Sequence, residues 1–486
     1  MGNAVSECGS LAACSVLLSQ LAIHREAMDI ASVPHAAPRQ EEGPPSSPLL
    51  RIWRAIRTNF FWIVIVALAV RVLVIFAFHT YRFPPWQHHF TFGYEMGRIG
   101  QSIAQGSGFS DIYGGIFGRS TGPTSWEPPV YPYLVGGVFR IFGIYTPLSA
   151  IVLLTINSVF SAVTCVPIFL ISRRCFGEKV AVASAWTWAL YPWVIYWCTT
   201  WVWETSLSTL LLATLFWLGL TMEEREGLKS WIQFGLLWGA AALSNASLVS
   251  FLPVSGLWAA YGCTKRNKRW LGGAVIASLI FLVCLAPWQV RNYRTFGRFI
   301  FVSGDFGAVL RMGNGPGANG AWMDELMPSR NSIEFDKFTR MGEAAYTAGQ
   351  GRQAMQFIRE NPGRFVVLCL KRFLYYWGGN PRFPVLQKAA LKNLFVIATS
   401  LLCFCGLGLA LRKHAPGAWL FFWLLLFYPL VYYITISNIR YRQPLEPFMV
   451  ILSIFLIDEA ACNANLRSAL GIPSGRLLPS GIRKSL

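Results

Sequence analysis

Charge is what this sequence has least of: Asp, Glu, Lys and Arg make up 13% of its 486 residues, and the acids among them number 23. A soluble chain of this length carries about twice that share of charge, so a soluble globular fold is excluded. Cysteine pairs are missing too. The 11 cysteines stand mostly alone inside apolar segments, as at Cys165, Cys284, Cys369, Cys403 and Cys405, without disulfide or metal-ligand spacing. Short alternating segments of the kind that build a membrane β-barrel are absent. No phosphate-binding loop is present either, because Gly313–Gly317 lacks the Lys-Ser/Thr ending. Neither a repeat of helix pairs nor two inverted halves can be traced.

What is abundant is apolar: 54% of residues are hydrophobic and 15% aromatic, with a mean hydropathy of +0.43. Runs of roughly 20 apolar residues define an all-α polytopic membrane protein with about ten transmembrane helices. The expected spans are 60–78, 147–171, 179–198, 202–221, 231–245, 247–262, 271–289, 390–411, 417–436 and 444–460. The net charge of +19 is read through its placement, not as a sign of nucleic acid. Lys and Arg crowd segments 51–57, 173–179, 225–229, 265–269, 412–413 and the tail from 467, whereas the short turns near 199, 246 and 440 hold only Arg440 and Arg442. By the positive-inside rule both termini are cytoplasmic, as expected for a multi-pass protein of the plasma (inner) membrane.

This division gives a disordered cytoplasmic leader at 1–50 and an N-terminal transmembrane catalytic module at 51–289 with a first outer loop at 80–146. An extracytoplasmic, mostly helical segment follows at 290–389, then C-terminal helices at 390–460 and a cytoplasmic tail at 461–486. Met1–Ser6 also fits a myristoylation pattern, which is short enough to occur by chance. In the first outer loop, Phe92, Met96, Ile99 and Ile103 recur at helical spacing, and Gly106 and Gly108 end the pattern. The result is a short amphipathic helix that carries Glu95 between Tyr94 and Arg98 near the bilayer boundary.

Glu204 falls in the outer turn before the fourth span, on the same side as Glu95. Two carboxylates at one membrane face suit an acid/base site or a divalent-cation site, and they equally suit two solvated loop acids. Arg71 lies within the first span and calls for an anionic partner, either a protein carboxylate or a lipid phosphate. Arg440-Tyr441-Arg442 opens the last span from outside and can grip a phosphate or anchor to headgroups. His88 and His89 are adjacent, a poor arrangement for one metal ion. Trp126, Tyr131 and Tyr133 can stack on a sugar or belong to the interfacial aromatic belt.

Several features occur in a fixed order: an acid in the first outer loop, Pro128-Pro129-Val130-Tyr131-Pro132, a second acid after the third span, Pro287-Trp288 with Arg291-Asn292, and Arg440-Tyr441 with Pro444. That order resembles the GT-C superfamily of membrane glycosyltransferases, which includes protein O-mannosyltransferases and the bacterial lipid A aminoarabinose transferase. The resemblance covers residues 55–460. It implies a sugar donor carried on a polyprenyl phosphate, transferred with inversion at the outer membrane face to a lipid, glycan or protein hydroxyl. It also implies Glu95 as general base and Glu204 as a second acid. Members often carry Asp or an Asp-Glu pair at the first position, whereas here Tyr94-Glu95 stands alone. Arg71, Arg291, Arg440 and Arg442 are then candidates for holding the leaving phosphate, with Tyr94, Arg98, Tyr131, Asn292 and Tyr441 as further substrate contacts.

No cofactor is required by this chemistry, and a divalent cation stays open. A transporter or flippase of a lipid-linked glycan is the alternative, but such proteins place charges near mid-membrane in broken spans. Here the acids sit at the outer ends of spans.

Overall fold

The computed structural model describes residues 60–85, 89–225, 227–321, 323–379 and 387–469. The leader at 1–50, the arginines at 51–57, His88 and the tail beyond 469 lie outside them. Regular secondary structure among the described residues is helical, with no strand, as the apolar runs require.

In chain order the helices are α1 (Phe60–Ala77), α2 (Glu95–Ala104), α3 (Val130–Phe142), α4 (Pro147–Val163), α5 (Cys165–Phe176), α6 (Glu178–Leu190), α7 (Pro192–Thr200) and α8 (Thr205–Thr221). There follow α9 (Leu228–Ser244), α10 (Leu252–Lys265), α11 (Leu271–Phe296), α12 (Phe306–Gly313), α13 (Ser332–Met341), α14 (Glu343–Glu360) and α15 (Pro362–Gly378). The last are α16 (Gln387–Arg412), α17 (Ala418–Phe427), α18 (Leu430–Ile434) and α19 (Glu446–Ala469). Among the described residues five helices are long and apolar enough to cross a membrane: Phe60–Ala77, Pro147–Phe176, Ala246–Lys265, Leu271–Phe296 and Lys392–Arg412. Val130–Phe142, Thr205–Thr221 and Ala418–Ile434 are shorter apolar helices.

Where the boundaries differ from those read off the sequence, the cause is local. The expected span 179–198 is broken into α6 and α7 at Tyr191-Pro192, since proline removes a backbone donor and clashes with the preceding turn. The break leaves carbonyls at the end of α6 short of ladder partners, and Arg71 donates to two of them, of which Trp188 O also accepts from Tyr191 N. Its guanidinium donates to Ala189 O at 2.9 Å and Trp188 O at 3.2 Å, with Ser161 Oγ and Ala67 O as further acceptors. The cation in the first span is therefore met by helix-end carbonyls instead of a carboxylate. In the other direction, α11 runs on to Phe296, past the expected end at 289 and through Pro287.

The helical period of Met96, Ile99 and Ile103 appears as α2, whereas Phe92 falls in a 3₁₀ turn before it. α2 buries Met96 and Ile99, its last turn runs into Gln105, and Gly106 and Gly108 take positive φ. It packs on α3 through a glycine pair: a Cβ on Gly100 would stand 2.6 Å from Val135 Cγ1, and one on Gly136 would stand 2.7 Å from Ile103 Cγ2. Side chains at either position would push the two helices apart.

The outer segment is docked on the apolar helices by Arg372 of α15, which is fully buried. Its guanidinium donates to Tyr433 O, Ile434 O, Asn314 Oδ1 and Gly313 O, so it clips the end of α12 to the end of α18. Arg442 is likewise internal. It pairs with Glu446 at 2.8 Å, both 1% exposed, and donates to Ser400 Oγ and Val396 O of α16, while Tyr191 donates to the other Glu446 oxygen.

Breaking a buried ion pair from one side leaves an uncompensated charge, at a cost of about 3–5 kcal/mol. Glu446→Ala is therefore expected to lower the thermal midpoint in detergent strongly, and the double variant Arg442→Met/Glu446→Leu to recover most of the loss. Equal midpoints for the single variant and the parent would show that the pair carries no such load.

Candidate active site

The site is built from six separated stretches of chain. The first is the turn before α2. Gly93 ends the 3₁₀ turn Phe90–Phe92 with φ 85°, and a Cβ there would lie 2.3 Å from Val202 O. Only glycine fits both the conformation and the approach. The same contact is tightened by Val202 N donating to Thr91 O at 3.0 Å, so the first outer loop is laced to the turn that holds Trp203 and Glu204. Tyr94 follows with φ 45° and ψ −92°, a strained pair of angles for a residue with a side chain. Arg98 covers its ring at 4.2 Å. The sharp turn makes Glu95 the first residue of α2, where unpaired amides and the helix dipole favour a carboxylate.

Glu204 precedes α8 and is buried. Asn245 Nδ2 donates to its Oε1 at 3.4 Å, and Oε2 has no hydrogen-bond partner among the described residues. Arg440 enters from the other end of the chain, in the 3₁₀ turn Ile439–Leu445 that Asn438 caps. Its guanidinium lies over the Trp203 ring at 3.6 Å, close enough for a strong cation–π contact. Glu95, Glu204, Arg440 and Tyr441 line one cavity of about 380 Å³.

Two acids that sequence reasoning passed over join them in that wall: Glu127 and Asp305. Glu127 stood in plain view beside Pro128-Pro129, where it reads as part of a turn. Asp305 precedes α12 without capping it through its side chain. Backbone pairing brings the two close, since Gly304 N donates to Ser125 O at 2.8 Å. Glu343, at the start of α14, fixes that junction. It is buried and accepts from Ser125 N at 2.6 Å, Ser125 Oγ at 2.7 Å and the Thr124 hydroxyl.

The remaining sequence candidates support the wall from behind. Arg291 donates to Thr124 O at 2.6 Å and Phe109 O at 2.7 Å, and so braces the first outer loop, with Asn292 buried beside it. Tyr131 donates to Asn157 Oδ1, and Asn157 Nδ2 to Trp201 O. Tyr94 and Arg98 stand on either side of Glu95 in the chain but do not line the cavity. Arg71 and Arg442 are not brought to it, because carbonyls, hydroxyls and Glu446 already occupy their guanidinium groups. His89 stacks on Tyr145 at 4.1 Å. Among the described residues no group of three or more His, Cys, Asp or Glu is placed to hold a metal ion.

Electrostatically the cavity disfavours full ionisation. Burial pushes the Glu95 carboxyl above its ordinary value, with Arg440 and Arg98 pulling it partly back. Burial also raises Glu127 well above the carboxylate range, and the like charges of Glu95, Asp305 and Glu204 add to the rise. Asp305 is lifted to about 6 by burial, against the opposing hydrogen bond from Ser303. A set of acids with elevated proton affinity around one arginine is equipped to take up and release protons near neutral pH.

Residues 126–289 match the sequence model of the dolichyl-phosphate-mannose-protein mannosyltransferase family. That stretch holds Glu127 and Glu204. No curated protein matches the chain in sequence. Among solved structures, the chain is similar to the oligosaccharyltransferase AglB from Archaeoglobus fulgidus in complex with an inhibitory peptide and a dolichol-phosphate. Identity is 13% over 90% of this chain and 54% of that one, with a TM-score of 0.48. It is also similar to ArnT from Cupriavidus metallidurans bound to undecaprenyl phosphate, at 12% identity over 86% of this chain and 81% of that one, with a TM-score of 0.35. The chain thus spans about half the length of AglB. No residue's role is taken from either structure. The family model covers about a third of this chain.

Proposed function

We propose that this chain transfers a sugar from a polyprenyl-phosphate donor to a hydroxyl acceptor at the outer face of the plasma membrane. One observation carries the reading: Glu95, Glu204 and Arg440, far apart in sequence, line the same cavity. Residues 51–289 form the catalytic module, residues 290–389 cover it from outside, and ten spans with both termini in the cytoplasm complete the arrangement.

The step follows from the residue types. An alcohol is a weak nucleophile at neutral pH. Glu95, raised in proton affinity but unprotonated at the moment of reaction, takes the acceptor's proton as the oxygen attacks the sugar C1. The C1–O bond to phosphate breaks, and its electron pair leaves with the polyprenyl phosphate. A single displacement of this kind inverts C1. Arg440 faces the charge that grows on the leaving phosphate, and Trp203 beneath it fixes the direction of the guanidinium. Glu204, with one carboxylate oxygen held by Asn245 and the other free of hydrogen bonds to the described residues, orients a sugar or acceptor hydroxyl.

Glu95→Gln keeps the shape and removes the base, so transfer of label from radiolabelled polyprenyl-phosphate sugars in proteoliposomes is expected to fall about 10²–10⁴-fold. Parent-like rates in that variant would remove Glu95 from the mechanism. The pH profile gives a second check. A base with a raised pKa loses activity as pH falls through that raised value, so the acid limb of kcat/KM is expected above the ordinary carboxylate range, and a limb at the value of an exposed glutamate would contradict this. Because Arg440 supplies the positive charge, EDTA is expected to leave the transfer rate unchanged. A loss restored by added Mg²⁺ or Mn²⁺ would assign that charge to a metal.

A further inference from the structure

A guanidinium stabilises a leaving phosphate best when its direction is set beforehand, because a long side chain gives up rotamer freedom when it takes a ligand. The direction of Arg440 depends on the 3₁₀ turn that carries it, Ile439–Leu445. Asn438 fixes the start of that turn: its side chain accepts from Arg440 N at 3.0 Å, and its carbonyl accepts from Tyr441 N at 3.0 Å. The far side lacks such a tie. In a 3₁₀ turn the carbonyl of residue 441 accepts from the amide of residue 444, and Pro444 has no N–H to give.

Two phenols fill the gap. Tyr376 Oη and Tyr428 Oη each donate to Tyr441 O at 3.2 Å. They come from separate elements, Tyr376 from α15 of the outer segment and Tyr428 from the junction of α17 and α18. Both are fully buried, and neither lines the cavity. A buried phenol needs a partner for its hydroxyl, and phenylalanine would fill the same space without that demand, so the hydroxyls have to be accounted for by what they hold. The rings close around the same residue. Tyr432 stacks on Tyr441 at 4.6 Å and on Tyr376 at 6.0 Å, and the hydroxyls of Tyr428 and Tyr432 are 3.2 Å apart. One turn before Tyr376 on α15, Arg372 is clipped to Tyr433 O and Ile434 O, which seats that helix against α18. The outer segment therefore reaches the backbone beside Arg440 and does more than cover the cavity.

We infer that Tyr376 and Tyr428 are positioning residues for the donor phosphate: by holding Tyr441 O, they fix the direction in which the turn presents Arg440. This rests on the transferase reading and deepens it.

The test uses the full chain in proteoliposomes, with polyprenyl phosphate itself as the probe. In Tyr376→Phe/Tyr428→Phe, Kd for polyprenyl phosphate is expected to rise about ten-fold, because binding must then order a turn that two neutral hydrogen bonds held before. KM for the acceptor is expected to stay unchanged. In an Arg440→Gln background the same two substitutions are expected to change Kd no further, since no guanidinium is left to aim. Tyr433→Phe is the control. Its hydroxyl accepts from Trp377 Nε1 at 2.6 Å between the same helices but does not reach the turn, so its loss is expected to lower the thermal midpoint and leave Kd alone. A parent-like Kd in the double variant, an equal further loss in the Arg440→Gln background, or an equal loss in Tyr433→Phe overturns the positioning role and leaves a transferase standing. If the parent neither binds polyprenyl phosphate nor transfers label from its radiolabelled sugar derivatives, the transferase reading itself falls, and this inference falls with it.

Discussion

The site depends on one buried carboxylate that takes no part in its chemistry. Glu343 draws Thr124 and Ser125 of the first outer loop against the start of α14, and Gly304 completes the junction through its backbone. Each hydrogen bond to a charged oxygen is worth about 1.5–3 kcal/mol net, and here they share one acceptor group. With that junction closed, Glu127 and Asp305 are held in one wall. Beside it the two segments are joined by aromatic packing, such as Phe338 against Tyr113 and Trp126, by the exposed Arg119–Asp336 pair and by Arg291.

The arginines divide by what they touch. Arg71, Arg372 and Arg442 are fully buried, with guanidinium groups met by backbone carbonyls, hydroxyls or a carboxylate inside the protein. Arg291 braces loop carbonyls. Arg440 differs because its neighbour is a flat ring and its other side faces the cavity. A cation stacked on tryptophan keeps its hydrogen-bonding edges free, whereas one surrounded by carbonyls does not. The same residue type is spent on internal partners in three places and lines the cavity in one.

Much of this was legible before the structure. The 3.6-residue period of Phe92, Met96, Ile99 and Ile103 places α2, and sidedness alone puts Glu204 with Glu95. What periodicity cannot convey is how many hydrogen bonds a guanidinium has already spent inside the fold. Arg442 and Arg440 are two residues apart and look alike in sequence, yet the 3₁₀ turn sends one inward to Glu446 and the other to Trp203. Asp305 was hidden for a different reason: the sequence reading expects no helix at 306–313, and so nothing marks the acid that precedes α12.

The glycine at 93 and the arginine at 440 also set an order of events during synthesis. The membrane helices emerge from the ribosome in sequence, and the turn that presents Glu95 can close on Val202 once α7 has been made. The cation that balances it is added only after nearly the whole chain has been inserted. For most of its synthesis the chain therefore carries Glu95 and Glu204 without Arg440, the guanidinium that lines the same cavity in the finished fold.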